Sequence, residues 1–236
     1  MDTFNSNNAN YRYEHKYLMS SSMAEILKHR LALFMERDEN SNTLNNKYYI
    51  RSLYFDDIYN TAYNEKIDGL EEREKYRIRI YNLDTSYILI ELKGKKGEFT
   101  YKKQDVITKK EYEFIVNKEY DKIKIGNRKI LDEFIYKCKT RNLNPSVIVD
   151  YTREAYTYPV ADVRITFDED IASGRFNYNL LDENIDLFRV IEPNEVILEV
   201  KYNDRLPRIV TEIINTIPIT RIAMSKFTLC KEKKEV

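Results

Sequence analysis

Glycine is scarce in this chain, with five in 236 residues. There is no G-x-x-x-x-G-K-[ST] loop, no Gly-rich dinucleotide turn and no kinase signature, so a backbone cradle for phosphates is excluded. Two histidines, His15 and His29, exclude a multi-His metal centre, and any metal would need carboxylates. Two cysteines, Cys138 and Cys230, lie far apart without metal-type spacing. That usage predicts a reducing, cytoplasmic setting. Net charge is absent too, with 39 basic and 39 acidic side chains. A whole-molecule field for nucleic acid or anionic membrane is not expected, and a basic site must come from local sorting. No apolar run approaches the ~18–20 residues of a membrane-spanning helix. The polar, Asn-rich start has no signal-peptide core and reads as a disordered tail over 1–10, with one domain over 11–236.

What the sequence does have is alternation. Period-two patterns predict eight strands, at about 11–19, 47–56, 74–82, 86–96, 98–107, 145–157, 160–170 and 195–203. Helical patterns lie between them at 20–38, 108–120, 128–142 and 206–217, and a short one closes the chain. The expected class is α+β: an eight-stranded antiparallel β-barrel with helices packed on its outside.

The alternation carries charge on one face. In "EKYRIRIY", Lys75, Arg77 and Arg79 share a side. Across all strands that side collects ten cations: Arg12, Lys16, Lys75, Arg77, Arg79, Lys93, Lys102, Arg153, Arg164 and Lys201. It collects six acids: Glu14, Glu91, Asp162, Asp168, Asp170 and Glu199. On any single strand this is the solvated face of a half-exposed sheet. Taken together, the apolar helix stripes need the outer faces of the strands, which leaves the charged faces inside. A buried cationic surplus is costly unless an anion fills it. Phosphates suit it, because Arg and Lys make charge-assisted hydrogen bonds to their oxygens. The glutamates could hold Mg²⁺ or Mn²⁺.

The segments "EHKY" (14–17), "SLYFDD" (52–57), "YNEK" (63–66), "YRIRIYN" (76–82), "ELK" (91–93), "YKK" (101–103), "DYTREAY" (150–156), "VRITFD" (163–168), "LEVKY" (198–202) and "SKF" (225–227) recur in one order and spacing. In these the chain resembles the vacuolar transporter chaperone (VTC) domain, the polyphosphate polymerase family of the triphosphate tunnel superfamily. The resemblance implies a tunnel that transfers the γ-phosphate of ATP to a polyphosphate chain, with a divalent metal, Mn²⁺ or Mg²⁺. It implies phosphate contacts from Lys16, Lys66, Arg77, Arg79, Lys93, Lys102, Tyr151, Arg153, Arg164, Ser225 and Lys226, with Lys103 as the alternative register to Lys102. Of these, Lys16, Arg77, Arg79 and Lys226, with Glu199, would serve the reaction itself. Glu199 matches the metal-ligand glutamate, and Glu14 and Glu91 are further carboxylate candidates. The implied partners are ATP and polyphosphate or pyrophosphate, without nucleic acid, together with unidentified proteins. Two departures stand out. Arg12 replaces the first glutamate of the E-x-E-x-K strand of triphosphate-hydrolysing relatives, and Ala223 lies where some polymerases carry a further basic residue. Two rivals follow: a triphosphatase acting on nucleoside or inorganic triphosphate, and a non-catalytic polyphosphate-binding module.

Overall fold

The computed structural model describes residues 11–38 and 46–233; the tail expected over 1–10 lies outside the described residues. All eight expected strands form: β1 (Arg12–Ser20), β3 (Tyr48–Asp56), β4 (Glu72–Tyr81), β5 (Ile88–Lys96), β6 (Phe99–Ile107), β7 (Asn144–Tyr158), β8 (Val163–Ser173) and β10 (Glu195–Tyr202). Two-residue strands β2 (Glu36–Arg37) and β9 (Phe188–Arg189) attach to β7 and β8. The long strands run in the order β7-β3-β4-β5-β6-β1-β10-β8, and β8 pairs again with β7. The sheet is thus a closed ring of eight antiparallel strands. Its slenderest seam joins β1 to β6 through two residue pairs, Arg12↔Thr100 and Tyr13↔Phe99. Beyond that seam the segment at Arg221–Ile222 takes up the edge of β1, with the Ile222 N–H donating to the Lys16 carbonyl at 2.8 Å.

Among the described residues six helices accompany the ring: α1 (Ser21–Leu31), α2 (Thr61–Ile67), α3 (Lys109–Val116), α4 (Lys129–Arg141), α5 (Arg208–Ile214) and α6 (Lys226–Glu232). Helix α1 starts where Ser20 Oγ accepts the Met23 N–H, and α3 where Thr108 and Glu111 cap each other reciprocally. Expected to reach residue 38, α1 stops at Leu31, and Glu36–Arg37 instead pair with Tyr156 and Thr157 of β7. The apolar stripes of α3 and α4 cover the outer side chains Tyr76, Ile78, Ile80, Ile88, Ile90 and Leu92. Those of α1 and α5 cover Ile165, Phe167, Leu198 and Val200. Each such fully buried aliphatic side chain contributes ~1.5–3 kcal/mol.

The last helix does something else. Phe227 and Cys230 of α6 bury against Ile50, Tyr54, Val149, Ile171 and Ile197, which point to the inner side of the ring. One part of the lumen is therefore filled by an apolar plug, and the charged part lies beside it. No helix among the described residues is long and apolar enough to cross a membrane.

Candidate functional site

The β4–β5 ladder supplies one wall. Arg77 stands opposite Glu91 in register, and Lys75 opposite Lys93. Arg77 Nε lies 2.6 Å from Glu91 Oε2, and its Nη1 donates to the Tyr54 hydroxyl at 2.8 Å. Arg79 donates to Ser52 Oγ at 2.9 Å and to the Tyr151 hydroxyl at 3.2 Å. Lys102 on β6 reaches Glu91 at 3.1 Å. Lys103 does not share that face: its cross-strand partner Leu92 belongs to the outer core. Glu91 is fully buried, which alone would raise its pKa, but Arg77, Arg79 and Lys102 hold it far below the usual carboxylate range.

The opposite wall comes from β1, β10, β7, β8 and α6. Lys16 lies 3.0 Å from Glu14 and 3.6 Å from Glu199. Lys93 closes on Glu14 at 2.9 Å, and Lys201 on Glu199 at 3.1 Å. Arg153 grips Asp168 with two bonds, of 2.6 and 2.7 Å. Lys226 also pairs with Asp168, and it donates to Glu199 at 2.7 Å. Burial would raise the pKa of Glu199, yet Lys226, Lys201, Lys16 and Arg153 hold it well below the ordinary value. Burial pushes Lys201 the other way, down to about 8.

Nine cations thus converge (Lys16, Lys75, Arg77, Arg79, Lys93, Lys102, Arg153, Lys201 and Lys226) on four carboxylates (Glu14, Glu91, Asp168 and Glu199), a surplus of five. The surplus is one more than the strand faces alone imply, because Lys226 of α6 joins the cluster, while two cations (Arg12 and Arg164) and two acids (Asp162 and Asp170) leave it. Asp162 sits in a left-handed turn ahead of β8 and pairs with Arg12 at 2.7 Å in the open. Asp170, also at positive φ, pairs outside with Arg189. Both were expected on the inner face; a left-handed residue breaks the strict alternation on which that expectation rests. Arg164 turns to Asp38 and the Tyr48 hydroxyl, each at 2.9 Å, apart from the main cluster.

The remaining expected residues border this chamber. Tyr151 lies under the Arg153 guanidinium. Ser225 accepts a bond from Lys75 Nζ at 3.2 Å. Lys66 on α2 stands at the mouth and donates to the Ala223 carbonyl at 2.8 Å. Of the three carboxylates considered for a metal, Glu14 and Glu199 flank Lys16, while Glu91 is held elsewhere by Arg77. No group of three or more metal-type side chains exists among the described residues. The Glu14–Glu199 pair nevertheless fits a hard cation, since Mg²⁺ sites commonly use one or two carboxylates and complete the shell with substrate phosphates and water.

Tyr54 and Ser52 are contributors that the sequence reading does not name, and Lys75, counted there among the inner cations, proves to be a further site residue. The Lys75 ammonium lies 5.5 and 5.2 Å from the centroids of Tyr54 and Phe227, two rings that stack on each other at 5.0 Å. The period-two step from Ser52 to Tyr54 in "SLYF" is the signal that could have found the first two.

The VTC domain family matches residues 11–233, and the chain belongs to it. No curated protein matches. Among solved structures, the chain is similar to a candidate adenylate cyclase from Bacillus halodurans, at 13% identity and a TM-score of 0.53, over 92% of this chain and 95% of that one. It is also similar to a candidate adenylyl cyclase from Hippeastrum, described as revealing a dominant triphosphatase activity, at 12% identity and a TM-score of 0.51, over 94% and 95%. At such identities these two likenesses speak to the fold alone, the closed ring of antiparallel strands.

Proposed function

We propose that this member of the VTC domain family is a phosphotransferase that moves the γ-phosphate of ATP onto a polyphosphate chain inside the chamber. The observation that carries the reading is the five-charge cationic surplus, largely buried and built from side chains alone. Such a surplus is unfavourable in an empty protein and becomes favourable around a string of phosphates.

In this reading Arg77, Arg79, Lys93 and Arg153 grip phosphate oxygens. Tyr54, Ser52 and Tyr151 hold two of those guanidiniums in place, and Asp168 holds the third. Phosphoryl transfer asks mainly for alignment and charge neutralisation. Lys16 and Lys226 supply cations beside Glu199, where the donor and acceptor phosphates would meet. The acceptor is already an anion at neutral pH, so no strong general base is needed. Glu199, with Glu14, would hold Mn²⁺ or Mg²⁺, whose role when bound is to neutralise charge on the reacting phosphate oxygens.

Incubating the purified protein with ATP and Mn²⁺ tests the reading. Long-chain polyphosphate is the expected product. Phosphate release without chain growth would instead identify a triphosphatase, the reading that the Hippeastrum protein's described activity favours. Tight binding without turnover under any metal would leave a binding module.

A further inference from the structure

The inner face of the β4–β5 ladder carries charge further than the chamber. Arg79, Arg77, Lys75 and Arg73 occupy successive positions of one parity on β4. A strand rises ~3.3 Å per residue, so the row spans ~20 Å. Across the ladder Lys75 faces Lys93, and Arg73 faces Lys95. Like charges directly opposite each other are destabilising, and here two such pairs follow in succession. The inner pair has partners, Lys93 in Glu14 and Lys75 in Ser225. The outer pair has no ion-pair partner among the described residues, and Arg73 Nη1 donates only to the Leu70 carbonyl.

Six cations, Lys16, Lys66, Arg73, Lys75, Lys93 and Lys95, line the mouth of the chamber beside two carboxylates, Glu14 and Glu74. Its carboxylates are engaged: Glu14 with Lys93, and Glu74 with Lys137 and the Tyr101 hydroxyl. Burial lowers the pKa of Arg73, with Glu65 as a weak counterpull. Burial and then Arg73 lower that of Lys95, against Glu98 and Glu71.

We propose that Arg73 and Lys95 form an outer subsite for a linear polyphosphate, holding phosphates beyond those inside the chamber and laying the chain along the β4–β5 ladder. This rests on the chamber being a polyphosphate site, and it adds the path of the chain outside it, along Arg73 and Lys95. The unneutralised Arg73–Lys95 pair is then the resting state of a site whose counter-charge is the ligand.

Equilibrium binding of tripolyphosphate and of long-chain polyphosphate, measured across a salt series, tests it. The double variant Arg73→Gln/Lys95→Gln is expected to weaken long-chain binding about tenfold or more, and to flatten its salt dependence by one to two phosphate contacts' worth. Tripolyphosphate binding should fall by a clearly smaller factor, about threefold or less, because a three-phosphate ligand is held by the chamber's own cations without direct bonds to the outer pair. Lys96→Gln removes one charge one residue away, on a lysine whose partner is the exposed Glu72, and should leave both ligands unaffected. Equal weakening of both ligands by the double variant, weakening of neither, or the same effect from Lys96→Gln overturns the outer subsite. A wild-type protein that binds tripolyphosphate but holds the long chain no better overturns it too, and leaves the chamber reading standing. Failure to bind either ligand overturns both.

Discussion

The Lys226 ammonium stands 2.7 Å from Glu199 Oε1, tying the last helix by charge to the middle of β10. The same ammonium pairs with Asp168, so one lysine bridges two buried carboxylates on adjacent strands. Glu199 therefore answers to four cations, and its charge decides how much of their positive field reaches an incoming phosphate.

Glu199→Gln keeps the shape and removes the charge. Turnover of ATP with Mn²⁺ should fall at least about 100-fold, the scale on which loss of one transition-state charge partner acts. Tripolyphosphate binding should be unchanged or tighter, because a competing anion has left the chamber. Paired activity and calorimetric measurements check this; a parallel loss of binding would show that Glu199 acts by holding the fold.

Asp168 serves as an internal counter-ion, fully buried under Arg153 and Lys226. Asp168→Asn takes the two-bond partner from Arg153, leaves both cations to share Glu199, and should cost about 3–5 kcal/mol, as breaking other buried pairs does. The urea midpoint reads that loss. Tripolyphosphate at about 100 times its Kd should return ~2.7 kcal/mol by mass action.

Lys75 is held well below the ordinary lysine range by burial, reinforced by Lys93, Lys16 and Arg77 against the single pull of Glu14; the Tyr54 and Phe227 rings and Ser225 complete its surroundings. The sign follows from linkage. Between that lowered value and the ordinary one near ~10.4, the unfolded chain binds the proton that the folded chain does not, so the empty protein gains stability as pH rises through this window. An arriving phosphate favours the charged form, so binding takes up a proton and affinity falls as pH rises through the same window. Calorimetry of tripolyphosphate binding in buffers of different ionisation enthalpy measures the uptake, and Lys75→Met should reduce it, leaving the share taken by Lys201.

Gly94 on β5 has no room for a side chain: a Cβ there would lie 2.0 Å from Tyr101 Cζ. The Tyr101 ring crosses this glycine to donate to Glu74 at 2.5 Å. Gly94→Ala should cost about 1–3 kcal/mol by overpacking. In the Tyr101→Ala background the same change should cost much less, and a double-mutant cycle of thermal or urea unfolding measures the difference.

The ring was legible because a strand shows its two faces at every second residue, and the charged and apolar sets separate cleanly in "YRIRIY" and "LEVKY". Local exceptions to that period were not. Asp162 and Asp170 adopt left-handed backbone, and their side chains swing to Arg12 and Arg189. Helix α2 escaped notice because it buries no side chain and so has no apolar stripe. The early end of α1 has no glycine or proline to announce it; pairing of Glu36–Arg37 with β7 decides it. Among the site residues, Lys102 and Lys103 could be told apart only by register with β5. The inward lodging of α6, and with it the Lys226 bridge and the Lys231–Asp56 pair at 2.9 Å, depends on contacts between distant parts of the chain.

The pairing of β1 with β10, Lys16 beside Glu199 and Glu14 beside Lys201, joins the first strand to the last. During synthesis β1 emerges early, yet one of its edges waits for a partner nearly the whole chain later. Closing so long a loop is slow, and an unpaired edge meanwhile invites association with other chains. The same event that closes the ring also brings Lys16 and Glu14 to Glu199 and Lys201. A partly made chain can therefore carry the β4–β5 wall but not the Glu199 side, and the rate at which β1 finds β10 sets when the complete chamber first exists.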